Sequence, residues 1–298
     1  MSKIKKSLLA GLILLLSSTS VMAHTMWVNL FRSTAHEPGH ALVSLGWGHT
    51  LPLDDLLMTS QANLKLGSYE LVDPDLVRTA LPMPVIKMEE KTVTTSGVTV
   101  QKGDMGIRKL SLGSDTKPGT YQVTASAEEA YFTSYINQDG RTKMATLPID
   151  EIKDLKEVVM SMKFGANAKS FMAVKEWTPP QPLGYDLEII PTTDLTNVRA
   201  GDLVTFEIKF MGKAIQRFED DTIQYITATS NSFGGPDGFF ISSFITKGKG
   251  QFRMPAAGQW VANVYFKQQV AKNDKLKDLA DKCTCVYHAA SVSFMVKP

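Results

Sequence analysis

The residues with the most chemistry in them are five histidines and two cysteines, and they are unevenly spread. His24, His36, His40 and His49 crowd together near the N-terminus, while His288 follows Cys283 and Cys285, the only cysteines, near the C-terminus. Neutral imidazole suits nickel, cobalt, copper and zinc, and thiolate suits the softer ions. This crowding predicts a bound transition-metal ion (Ni, Co, Cu or Zn), with His24, His40, His49, His288, Cys283 and Cys285 as candidate ligands.

His24 owes its importance to what precedes it. Lys3, Lys5 and Lys6 open a leader, Leu8 to Leu16 form a short apolar run, and small residues lead to Val21-Met22-Ala23. That is the pattern of a secretory signal peptide, residues 1–23, cut after Ala23. The apolar run is shorter than the ~20 residues of a spanning helix, and no cysteine stands near the cut to carry a lipid anchor. Cleavage makes His24 the first residue, so that its α-amine and its ring can chelate one ion together. One further imidazole would complete the three-nitrogen arrangement of histidine-brace copper sites. The plain alternative is a solvent-exposed terminal residue.

The other donors are less sharply defined. His36, Glu37 and His40 make a His-x-x-x-His spacing, but Pro38 and Gly39 exclude a helix, so the motif sits on a turn entering a strand. It is not the helical zinc-hydrolase motif. His40 opens the strand and is the better ligand, whereas His36 is equally well explained as solvated. His49 follows Gly46-Trp47-Gly48, whose two glycines let the backbone approach something closely; its ring is either a ligand or a core histidine beside the tryptophan. Cys283-Thr284-Cys285 with His288 reads three ways: a strained, reducible disulfide, a soft-metal chelate, or a pair of inert thiols. The 14 methionines are scattered singly and read as core.

Composition narrows the classes. The chain has 298 residues with 32 basic against 30 acidic side chains, which gives no basic field for nucleic acid. Without the leader 275 residues remain, with 29 basic and 30 acidic groups. No second stretch is long and apolar enough to span a bilayer, so the mature product is expected to be soluble and periplasmic. No nucleophile elbow, phosphate loop or dinucleotide fingerprint is present, and no catalytic set is predicted.

Turn-bounded, alternating apolar runs must position these donors. They recur at Ala41 to Leu45, Lys91 to Val100, Thr120 to Ala125, Leu187 to Ile190, Leu203 to Phe210, Ile223 to Thr229, Trp260 to Phe266 and Ser291 to Val296. In Leu203 to Phe210, Val204, Phe206, Ile208 and Phe210 should face a core. Pro148 to Phe164 carries Ile149, Ile152, Leu155, Val159 and Met162 at helical spacing and predicts an amphipathic helix near 149–163. Gln268 to Lys282 reads as a loop or short surface helix within a hairpin. The segment 177–184, Trp-Thr-Pro-Pro-Gln-Pro-Leu-Gly, is a stiff linker. It divides an N-terminal domain, 24–176, from a C-terminal one, 185–298. The fold class expected is mostly β: two Ig-like or transthyretin-like antiparallel β-sandwiches with one intervening amphipathic helix. Lys117 to Ala125 and Ala256 to Val264 share a Gly turn, an aromatic residue and an alternating strand, a weak sign of duplication.

Leu187-Glu188-Ile189-Ile190-Pro191, Arg199-Ala200-Gly201-Asp202, Phe210-Met211-Gly212-Lys213-Ala214-Ile215 and Ala257-Gly258-Gln259-Trp260 together resemble the DUF4198 family. Ala23-His24 with Trp27, and Gly39-His40-Ala41, extend the likeness over most of the mature chain. Members have been labelled as periplasmic components of nickel or cobalt uptake systems. The resemblance implies an exported, metal-associated β-sandwich protein that serves an inner-membrane metal transporter. Two other readings compete with it. One is a non-metal binding or scaffold module of the envelope, using exposed Trp27, Trp47, Phe239 and Phe240. The other is a copper-dependent redox enzyme built on His24.

Overall fold

The computed structural model describes residues 25–57, 64–85, 91–219, 222–233 and 240–298. The leader 1–23, His24 and Phe239 lie outside the described residues. In chain order the first strands are β1 (Thr25–Ser33), β2 (His40–Gly48), β3 (Leu66–Val72), β4 (Arg78–Ala80), β5 (Thr92–Val93), β6 (Thr99–Val100) and β7 (Arg108–Ser111). Next come β8 (Gly119–Ala127), β9 (Ala130–Asn137), β10 (Thr142–Ala145), β11 (Leu155–Val174), β12 (Leu187–Pro191), β13 (Leu203–Phe210) and β14 (Lys213–Ala214). The chain closes with β15 (Phe218–Glu219), β16 (Thr222–Ile223), β17 (Tyr225–Ser230), β18 (Phe240–Phe244), β19 (Lys249–Arg253), β20 (Gly258–Gln269) and β21 (Cys285–Val296).

The fold is mostly β and is built as sandwiches around one shared layer. A large sheet runs in the order β18-β17-β20-β21-β11-β8-β3-β4, with β9 and β10 attached beside β11. Its strands come from both sides of the linker, and they join where β11 pairs in parallel with β21. Side chains alternate faces along a strand, and each face meets a different small sheet. Ala168 of β11 and Val123 and Ala125 of β8 pack with Met26, Val28, Val43 and Leu45 of the β1-β2-β7 sheet. Phe171 of β11 and Ala290, Val292 and Phe294 of β21 pack on the opposite face with Ile189, Val204, Phe206 and Ile208 of the β12-β13 sheet. The alternation predicted for β13 holds, with Val204, Phe206 and Ile208 buried.

The predicted helix is corrected. Only Ile149–Glu151 turns, as a single 3-10 turn, and Leu155–Val174 is a strand of 20 residues. Val159, one of the supposed apolar stripe, is 58% exposed. The segment has hydrogen-bonding neighbours on both sides, β9 and then β8 on one edge and β21 on the other. Pairing of that extent outweighs a local three-to-four spacing, which is only a weak prior. The strand expected over Lys91 to Val100 is also corrected, to the two-residue ladder of β5 and β6. Gln268 to Lys282 does hold short 3-10 turns between β20 and β21, at Val270–Lys272 and Asp274–Leu279.

The proline-rich segment is strapped down rather than free. Thr120 and Thr178 exchange backbone-to-hydroxyl hydrogen bonds at 3.0 and 2.8 Å. Gln122 Nε2 donates to the Gln181 carbonyl at 2.9 Å, and Arg78 donates to the Leu183 carbonyl at 2.7 Å. At its end lies a buried ion pair, Lys169 Nζ to Glu188 Oε1 at 2.5 Å, whose carboxylate also accepts the N–H groups of Leu183 and Gly184. Burial pulls the Lys169 ammonium below the usual lysine value, and Glu188 opposes that pull. The shared aromatic motif recurs in space: Gly119 opens β8 at φ +125 and Gly258 opens β20 at φ +134, each leading into the same sheet.

Candidate functional site

The histidine-rich hairpin is β1 and β2. They pair antiparallel from Ser33↔His40 at one end to Thr25↔Gly48 at the other. His36 lies exposed on the turn between them, and Gly39 at φ +96 brings the chain back with no room for a Cβ beside the Ser33 carbonyl. His40 is half-buried at the turn end, opposite Ser33 and Ser111. His49 is exposed just beyond the other end of β2. Nine residues of extended chain separate them by about 30 Å. Residues His40 and His49 therefore cannot hold one ion together. The strand carrying His40 pairs with β1 and β7, not with the strand carrying His288.

Gly46 and Gly48 approach different groups. A Cβ at Gly46 would overlap Nε1 and Cε2 of the Trp27 indole and stand 2.6 Å from Cζ2. Gly48, at φ +127, meets the Asp54 side chain, and Asp54 Oδ2 accepts the His49 N–H at 2.7 Å. Trp27 is fixed by Nε1, which donates to Asn29 Oδ1 and to the Pro52 carbonyl, both at 3.0 Å. Asn29 is fully buried and fully bonded: its amide donates to Ser44 Oγ and the Pro52 carbonyl, and its oxygen also accepts Gln259 Nε2. Leu51 packs on Trp27 and Val261, which seats the loop after His49 on β20. Trp27 and Trp47 are buried, 2% and 6% exposed, so the sequence reading that gave them to a contact surface is corrected. Their indoles fill the space between two sheets.

The C-terminal donors separate. Both cysteines are free and buried, with no disulfide between them. Cys283 packs with Val270 and Val286. Cys285 pairs with Met162 in the sheet, and its thiol reaches the Ser161 carbonyl at 3.5 Å. Burial pushes both thiols up, away from the reactive thiolate. His288 is three positions beyond Cys285 on the same strand, and an odd offset puts the two on opposite faces.

His288 stands at the rim of the second sandwich. Its ring meets Phe210 edge-on at 5.0 Å, Nδ1 is 3.7 Å from Asp186 Oδ2, and Nε2 is buried without a hydrogen-bond partner among the described residues. Burial lowers its pKa, opposed by Asp186 and Glu129, while Lys163 adds to the lowering. A histidine with a depressed folded pKa is held neutral, so its contribution is present above the unfolded value near 6.5 and is lost as pH falls below it. Wild-type protein should therefore melt at lower temperature at pH 5 than at pH 7.5, and His288→Gln should reduce that difference. Thermal melts of both proteins across this range provide the check; an unchanged pH dependence would contradict it.

Among the described residues no group of three or more His, Cys, Asp or Glu side chains converges to hold a metal ion, and no helix is long and apolar enough to cross a membrane. What does converge is the start of β1 on the large sheet. Thr25 Oγ1 lies 2.6 Å from the Tyr265 hydroxyl, and the Ser291 and Ser293 hydroxyls donate to the Met26 and Val28 carbonyls. Sequence reasoning missed Asn29, Gln259 and Tyr265, because nothing in a strand of mixed pattern marks which polar side chain will find a partner 230 or 240 residues away.

Residues 21–268 match the profile of a protein family described as a domain of unknown function, DUF4198, and the chain belongs to that family. No curated protein matches the chain.

Proposed function

We propose that this DUF4198 protein is exported to the periplasm and binds one transition-metal ion at its mature N-terminus, through the α-amine and ring of His24 with the ring of His49. The observation that carries the reading is the register of the β1–β2 hairpin. Its last pair is Thr25↔Gly48, so His49 leaves the hairpin at the same end at which the chain, one residue after His24, enters β1. Three nitrogen donors favour Cu²⁺, with Ni²⁺, Co²⁺ and Zn²⁺ weaker in an N-donor set. Capture of nickel, cobalt or copper for an inner-membrane transporter is the role this chemistry fits.

The cleaved protein titrated calorimetrically with Ni²⁺, Co²⁺, Cu²⁺ and Zn²⁺ tests this. At least one ion should bind with one-to-one stoichiometry, and His24→Ala and His49→Ala should each weaken it tenfold or more. Equal binding of all four ions by wild type and His24→Ala would overturn the reading. A scaffold role keeps one supporting observation, the exposed Phe240 and Phe244 on edge strand β18. It predicts that an envelope partner is retained in the presence of chelator.

A further inference from the structure

One face of the large sheet gathers sulfur where β11 and β21 run side by side. Met162 of β11 is the register partner of Cys285 of β21 on one side and of Phe132 of β9 on the other. Met160 stands two residues earlier on β11, opposite Ser134, and so shares that face. Met162 and Cys285 are buried, 9% and 1% exposed, and Met160 is half-buried at the rim. Neighbouring strands lie about 4.8 Å apart, and successive same-face residues of one strand about 6.6 Å apart. Three sulfur-bearing side chains therefore occupy one small area. The methionines look solitary in sequence because Cys285 reaches them from the far end of the chain.

The surroundings select the kind of ion. The row through Met162 and Cys285 continues only to Phe132 and Gln269, and the next row is Phe164, Tyr287 and Lys267. Neither row carries an imidazole or a carboxylate, since His288 is on the opposite face of β21. Lys267 is exposed and has no lone pair to give while charged. Thiolate and thioethers without nitrogen or carboxylate donors suit Cu⁺ rather than the borderline divalent ions. Charge points the same way: one thiolate neutralises one positive charge, whereas a divalent ion would leave a net charge in a buried place. Aromatic rings border the sulfurs, with Phe132 beside Met162 and Phe164 stacked on Tyr287 at 6.1 Å, and aromatic faces attract cations. Neither Met162 nor Cys285 belongs to the core of either sandwich, so packing there does not account for them.

We propose that Met160, Met162 and Cys285 form a second metal site, for one Cu⁺ ion, separate from the N-terminal one. On binding, the Cys285 thiol gives its proton to water and forms the sulfur–copper bond, while the two thioethers donate lone pairs. Copper stays at +1 and no electron moves, so each ion bound releases one proton. The site does not depend on His24, whose nitrogens take Cu²⁺.

The test uses the full mature protein under anaerobic conditions, with Cu⁺ competed against bicinchoninate and Ag⁺ as a redox-inert second probe. The variants are Cys285→Ala, Met162→Leu, Met160→Leu and the control Met105→Leu, which lies in the N-terminal core. Met-to-Leu changes conserve volume, and each variant is first compared with wild type by its urea midpoint. Cys285→Ala and Met162→Leu should each weaken Cu⁺ and Ag⁺ binding about 100-fold, and Met160→Leu, at the rim, about tenfold. Met105→Leu and His24→Ala should leave Cu⁺ affinity unchanged, and Met162→Leu should leave Cu²⁺ binding unchanged. Wild-type protein that takes no Cu⁺ from the competitor would overturn the sulfur site and leave the N-terminal reading standing. So would Met162→Leu binding Cu⁺ as tightly as wild type. If Cys285→Ala does not fold, Met160→Leu/Met162→Leu decides alone: loss of Cu⁺ supports the site and wild-type affinity overturns it.

Discussion

Glu188→Gln should lower the stability of the folded protein by about 3–5 kcal/mol, the usual cost of removing one partner of a buried ion pair. Lys169 is 1% exposed and Glu188 3%. The variant leaves an ammonium in the interior with a neutral amide in place of its carboxylate. It also weakens the acceptor for the Leu183 and Gly184 N–H groups, which hold the end of the proline-rich strap. A pH test identifies the cause. In the variant Lys169 has its folded pKa depressed further below the unfolded value near 10.4, so the deficit shrinks as pH rises toward that value. Urea unfolding at pH 7 and pH 9.5 measures both effects. A loss below about 1 kcal/mol at pH 7, the range of an exposed pair, would show that the pair is not buried in solution. Lys169→Met/Glu188→Leu should recover only part of the loss, because the two strap N–H groups would still lack their acceptor.

The second large effect belongs to Gly46. An added methyl at Gly46→Ala would occupy the space of the Trp27 indole, which is held by hydrogen bonds to Asn29 and Pro52 and cannot slide aside. Overpacking in a core costs about 1–3 kcal/mol and sometimes more; a clash with an anchored ring belongs at the top of that range. Gly165→Ala is the matched control. It lies in β11 with nothing within 4 Å of the added carbon. Replacing a strand glycine where space is open should be neutral or stabilising by up to about 1 kcal/mol. Urea midpoints of the two variants should differ by about 3 kcal/mol or more in converted stability. Equal midpoints would mean that Trp27 is not fixed as described. Trp27 and Leu51 also seat the loop that carries His49, so Gly46→Ala should disturb that loop as well.

Much of the β architecture was legible because alternation and turn residues are local signals. Leu203–Phe210 was read to the residue, since its apolar set faces a single core and its polar set faces out. β11 was misread as partly helical because its environment changes along its length: partners change from β9 to β8, and its first residues are largely exposed. β1 gave no alternating signal because it is buried on both faces, with Asn29 satisfied by three other segments of the chain.

Composition and order of residues by themselves determined the class of fold and which side chains have the chemistry to bind a metal. They also determined that Pro38 and Gly39 keep His36 and His40 off a helix. Which donors stand together was decided only by tertiary structure. A strand holds residues nine apart at opposite ends, so His40 and His49 are separated although they are close in sequence. A strand also sends residues three apart to opposite faces, so Cys285 and His288 are divided. Conversely, the antiparallel return of β2 brings His49 next to the start of β1, and sheet packing brings Tyr265 to Thr25 across 240 residues. Proximity along a chain is fixed by covalent bonds, whereas proximity in space depends on register and layer order, and these are set by the packing of the whole molecule.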